Sequence, residues 1–115
     1  MTAFPLITLG LALAASDTQP IECSACAGWN EPQAPFRLHG DSWYVGTRGL
    51  ASVLVATPDG LVLIDGGLPQ SAPLIAANVE SLGFRMDQVR YLLNSHEHFD
   101  HAGGLAALQR LSGAP

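Results

Sequence analysis

Three of the four histidines in this chain fall within six residues, in the run His96-Glu97-His98-Phe99-Asp100-His101. The pattern H-x-H-x-D-H gathers four side chains able to ligate a metal. Geometry decides what the spacing can do. On an α-helix, positions two apart point about 200° apart around the axis, so His96 and His98 would not share an ion. In an extended or looped chain, residues i and i+2 face the same way, and the two imidazoles can meet one cation. Asp100 and His101 then fall beyond the turn, where they can serve a second cation. The helical zinc pattern H-E-x-x-H does not fit, because Asp100 stands where its second histidine belongs. Imidazoles with a carboxylate suit Zn²⁺, and a catalytic zinc keeps one position open for water. Zinc lowers the pKa of that water to about 7, and two ions about 3.5–4 Å apart can hold the hydroxide and polarise a carbonyl. The chemistry to expect is hydrolysis without a covalent protein intermediate.

The competing view of the cluster is a set of solvent-facing or internally satisfied side chains, which four such residues at a strand-to-helix junction disfavour. His39 stands alone in a turn-like stretch and is assigned no metal role. Glu97 is expected at the solvent or the cleft rim, and Phe99 is expected to pack the loop. Asp65, ahead of Gly66-Gly67, either holds the metal loop through hydrogen bonds or is a plain strand-end turn residue.

These residues need elements to position them. Residues 43–45, 51–57 and 61–64 read as strands, the last two joined by the hairpin turn Pro58-Asp59-Gly60. Their nearly continuous apolar runs predict a sheet covered on both faces. Leu74, Ile75, Val79 and Leu82 recur at helical spacing, so residues 71–82 read as an amphipathic helix with Ser71 as N-cap and Gly83 just past its end. Residues 89–93 form a fourth strand that runs into the histidine cluster, and residues 102–111 a second helix opened by Gly103-Gly104. The order β-β-β-α-β-loop-α is α/β.

Composition narrows the function classes. Of 115 residues, 48% are hydrophobic and 13% charged, and the net charge is -5. The basic residues are Arg37, Arg48, Arg85, Arg90 and Arg110, with no lysine. No basic footprint for nucleic acid exists, and no run of about 18 apolar residues predicts a membrane span. The apolar run at residues 4–15, closing on Ala12-Leu13-Ala14, has the form of a signal peptide over residues 1–14; a buried N-terminal helix is the plainer alternative. Residues 15–35 read as an extended lead-in, and residues 36–115 as domain. Export makes the mature protein periplasmic or secreted. In an oxidising compartment Cys23 and Cys26 either pair with each other or bridge to cysteines elsewhere.

Leu63-Ile64-Asp65-Gly66-Gly67, followed by Asn94-Ser95 and the run from His96 through His101 to Ala102-Gly103-Gly104, resembles the metallo-β-lactamase superfamily. Three stretches resemble its third lactamase subclass: Trp29-Asn30-Glu31-Pro32 to Pro35-Phe36-Arg37, Trp43-Tyr44-Val45-Gly46-Thr47, and Leu68-Pro69-Gln70-Ser71-Ala72. The resemblance covers residues 29–115. It implies a four-layer αβ/βα sandwich, of which these residues form the N-terminal half, and two Zn²⁺ per complete site. His96 and His98 would bind the first zinc and Asp100 and His101 the second, with Asp100 the carboxylate assigned to catalysis. Cysteine is not a ligand in that subclass. The implied substrates are small-molecule β-lactams (penicillins, cephalosporins and carbapenems), opened by a metal-bound hydroxide, an activity that confers antibiotic resistance. A lactonase or thioesterase on the same fold, or a non-enzymatic truncated product, are the alternatives. The complete family site takes two more histidines, one per zinc. The 115 residues alone are therefore expected to bind zinc weakly and to hydrolyse no β-lactam.

Overall fold

Five strands lie side by side in chain order in one sheet: β1 (Phe36–His39), β2 (Ser42–Tyr44), β3 (Val53–Thr57), β4 (Gly60–Ile64) and β5 (Val89–Leu93). The computed structural model describes residues 16–115, so the segment read as a signal peptide lies outside the described residues. Among the described residues, four α-helices accompany the sheet: α1 (Cys26–Trp29), α2 (Ala72–Ser81), α3 (Phe99–Ala102) and α4 (Leu105–Ser112). β1 to β4 pair antiparallel, with short turns joining β1 to β2 and β3 to β4 and a longer link, residues 45–52, joining β2 to β3. β5 joins β4 in parallel, because α2 carries the chain back across the sheet between them. The C-terminal ends of β4 and β5 therefore open on the same edge, where α/β sheets place their ligands.

One face of the sheet is closed. Register aligns Trp43, Leu54, Leu63 and Leu92 across four strands. Leu54, Leu61, Leu63 and Val89 pack there against Ile75 and Val79 of α2 and Ala107 and Leu108 of α4. Each such side chain stabilises the fold by about 1.5–3 kcal/mol on burial. The other face carries the row Phe36, Tyr44, Val53, Ile64 and Leu93. Phe36, Tyr91 and Leu93 are exposed there, so the expectation of two covered faces is not met among the described residues. The apolar runs match a two-sided strand, but α2 and α4 both pack on one side.

Further differences have local causes. The lead-in is not simply extended: it holds α1 and a 3₁₀ turn at Ser16–Thr18. Cys23 and Cys26 pair with each other, and buried Cys26 packs with Leu50 and Leu68. Gln70 clamps this segment, accepting from the Ile21 N–H and donating to the Ile21 carbonyl. β1 was not anticipated. Ser71 does not cap α2 with its side chain; its hydroxyl accepts from the Leu68 N–H and donates to Asn30 Oδ1. The second predicted helix breaks in two at Gly103-Gly104. A Cβ at Gly104 would lie 2.1 Å from the Gly66 carbonyl oxygen, so only glycine permits this approach. Backbone bonds from Gly66 to the His101 carbonyl, and from Gly104 to that of Gly67, fasten the turn after β4 to the helix break.

Candidate metal centre

The site is built from the ends of β4 and β5. β4 runs into Asp65, the one non-glycine residue with positive φ among those described, at 66°. Aspartate tolerates this left-handed region better than most residues, yet it is sparsely populated. Two bonds hold it: the Asp65 N–H donates to the Leu93 carbonyl, and the buried Ser52 hydroxyl donates to the Asp65 carbonyl at 2.8 Å. The turn aims the carboxylate beneath the loop that follows β5.

Among the described residues, the polar partners of that carboxylate are Ser95, in the loop after β5, and His101, on α3. Oδ1 accepts the Ser95 N–H at 2.7 Å, and Oδ2 accepts the Ser95 hydroxyl at 2.6 Å. His101 Nδ1 lies 3.2 Å from the same Oδ2. Burial pushes the Asp65 carboxyl upward, but the bonds from the Ser95 hydroxyl and N–H and from His101 outweigh it and leave its pKa below the ordinary carboxylate value. Asp65 thus ties the start of the loop and His101 to the end of β4 by hydrogen bonds.

Above this anchor the loop stands in the solvent. His96, Glu97 and His98 are exposed, whereas Asp100 and His101, on α3, are half-buried. The chain is non-helical from Asn94 to His98, which is extended (φ -63°, ψ 144°) as it enters α3. The His96 ring centroid lies 4.8 Å from that of His98 and 4.1 Å from that of His101. His96, Asp100 and His101 each offer a donor atom within 4.8 Å of the others. His101 Nε2 and Asp100 Oδ2 are 3.5 Å apart. Two imidazoles and a carboxylate converging at this spacing make a donor set that fits zinc. His98 stands beside that trio, against His96. His39 lies at the end of β1, the opposite edge of the sheet from β5. Phe99 does not pack the loop as expected: it opens α3 and is 45% exposed.

Two residues of the site were missed in sequence. Ser52 is a buried hydroxyl inside an apolar run, and that polar interruption was its only signal. Ser95 reads as a loop residue ahead of the first histidine; its partner is 30 residues away.

The family profile described as the metallo-beta-lactamase superfamily matches residues 45–115. The crystal structure of MEM-A1, a subclass B3 metallo-beta-lactamase isolated from a soil metagenome library, is 60% identical with a TM-score of 0.73 over 75% of this chain and 33% of that one. A UPF0173 metal-dependent hydrolase of Anaeromyxobacter sp. (strain K) is 38% identical over 85 residues, 73% of this chain and 28% of the relative. An N-acyl homoserine lactonase of Bacillus thuringiensis is 30% identical over 77 residues, 47% of this chain and 31% of the relative. The chain spans about a third of the length of each of these proteins.

Proposed function

The chain belongs to the metallo-beta-lactamase superfamily, and on that premise we propose that it carries the metal loop of an exported, zinc-dependent β-lactamase of the B3 type. The observation that carries the reading is the convergence of His96, Asp100 and His101 at the open end of β4 and β5, together with 60% identity to a B3 enzyme. His96 and His98 would hold one zinc, and Asp100 and His101 a second. When bound, zinc acidifies water at neutral pH and polarises a carbonyl. The protein's part is placement. Asp65 fixes His101 and the start of the loop; Asp100, the carboxylate of the cluster, can accept a hydrogen bond from water at the reacting carbonyl. The exposure of His96 and His98 leaves room for a small-molecule amide.

The experiment is turnover by the protein expressed from the whole gene. Carbapenem hydrolysis that is lost with EDTA and restored by Zn²⁺ is expected. The proteins this chain resembles are about three times as long, so the 115 residues by themselves are expected to leave nitrocefin intact; robust turnover by them would contradict the need for further ligands. The likeness to an N-acyl homoserine lactonase favours one second reading, a lactonase. Lactone opening without any carbapenem turnover would replace the first reading by the second.

A further inference from the structure

Asp65 touches His101 directly, and it reaches toward His96 through one intermediate. The Ser95 hydroxyl lies 2.6 Å from Asp65 Oδ2 and 3.1 Å from His96 Nδ1. We propose that Ser95 is a positioning residue that relays the Asp65 carboxylate to His96, so that one buried carboxylate orients two imidazoles of the cluster. The inference rests on reading the cluster as a metal site.

Proton counting fixes the direction of the relay. A serine hydroxyl has one proton, and an ionised carboxylate only accepts. The short contact to Oδ2 is charge-assisted, so the hydroxyl proton goes there. Toward His96 the hydroxyl then has lone pairs alone to offer, and His96 must present Nδ1–H to it. The neutral ring keeps its lone pair on Nε2. At His101 the same logic holds without an intermediate: Nδ1 faces the carboxylate and donates, leaving Nε2 as the metal-ligating nitrogen. An imidazole's metallated nitrogen is set by the hydrogen bond its other nitrogen makes. The Ser95 N–H also donates to Asp65 Oδ1 at 2.7 Å, which pins the hydroxyl in place. That backbone bond survives substitution, so Ser95→Ala removes the relay and leaves the anchor. Ser95→Thr keeps the hydroxyl.

The test uses the metal-free, ¹⁵N-labelled protein expressed from the whole gene, at a pH where its imidazoles are neutral. Long-range imidazole ¹⁵N–¹H spectra are expected to show His96 as the Nδ1–H tautomer in the parent and in Ser95→Thr, and as a mixture in Ser95→Ala, with backbone amide dispersion unchanged in all three. Zinc affinity, read by competition with a chromophoric chelator, is expected to fall about tenfold in Ser95→Ala and to be restored in Ser95→Thr. A Nδ1–H pattern retained in Ser95→Ala, or lost equally in Ser95→Thr, overturns the relay. Neither readout involves substrate. A whole-gene protein that binds no zinc but shows the relay's tautomer pattern would sink the metal reading alone; zinc binding indifferent to Ser95 would sink the relay alone.

Discussion

β4 and β5 run parallel as neighbours and end at the same edge, but they finish in opposite ways. β4 closes on Asp65, 8% exposed, with both carboxylate oxygens engaged by the loop and its backbone held by Leu93 and Ser52. β5 opens into Ser95, His96, Glu97 and His98, all exposed. The difference separates two jobs that one residue could not do. A buried carboxylate is costly unless its lone pairs are satisfied; once satisfied, it is rigid and no longer available to a ligand. The exposed imidazoles keep donor atoms for a cation, while the anchor below holds the loop that carries them. Placement and ligation are thus divided between adjacent strand ends.

Removing the anchor should have the largest effect. Asp65→Ala leaves three donors without their acceptor and is expected to cost about 3 kcal/mol in urea unfolding. Zinc affinity should fall about 100-fold in the same variant. A loss below about 1 kcal/mol would break the contrast. The charge itself can be isolated with Asp65→Asn. The folded pKa of Asp65 is lowered, so its ionised form stabilises the fold above the unfolded carboxylate value of about 3.9, and that contribution disappears as pH falls through the folded value. The stability gap between parent and Asp65→Asn should therefore be full near neutrality and close in acid; a gap independent of pH would show that charge plays no part. Ser52→Ala, which frees the Asp65 carbonyl but spares the side-chain bonds, should cost about 1 kcal/mol. At the exposed end, His98→Ala should shift stability by less than about 0.5 kcal/mol yet abolish first-site zinc occupancy. Unchanged zinc stoichiometry in that variant would refute the assignment of His98.

The parts of this arrangement that depend on neighbours in sequence were legible without coordinates. The loop geometry of His96 and His98 follows from their spacing, β5 matches its expected residues, and α2 follows from its apolar periodicity. What was missed depends on contacts across the chain. α1 is only four residues long and contains Gly28; its setting comes from the Cys23–Cys26 bond and from packing on Leu50 and Leu68. β1 alternates apolar Phe36 and Leu38 with Arg37 and His39, but all four are exposed, so no buried face marks it. The break between α3 and α4 is set by Gly66 approaching Gly104, a contact that the helical pattern of residues 102–111 does not announce. Ser52 and Ser95 act on Asp65 from 13 and 30 residues away, distances at which no local pattern speaks.

The division between anchor and ligands is tested most directly by diffraction from zinc-loaded crystals with data collected at the zinc absorption edge. Anomalous density among His96, His98, Asp100 and His101, with Asp65 beneath His101 and outside the coordination sphere, is the predicted result. Density coordinated by Asp65, or zinc bound elsewhere with these four side chains unliganded, would contradict it.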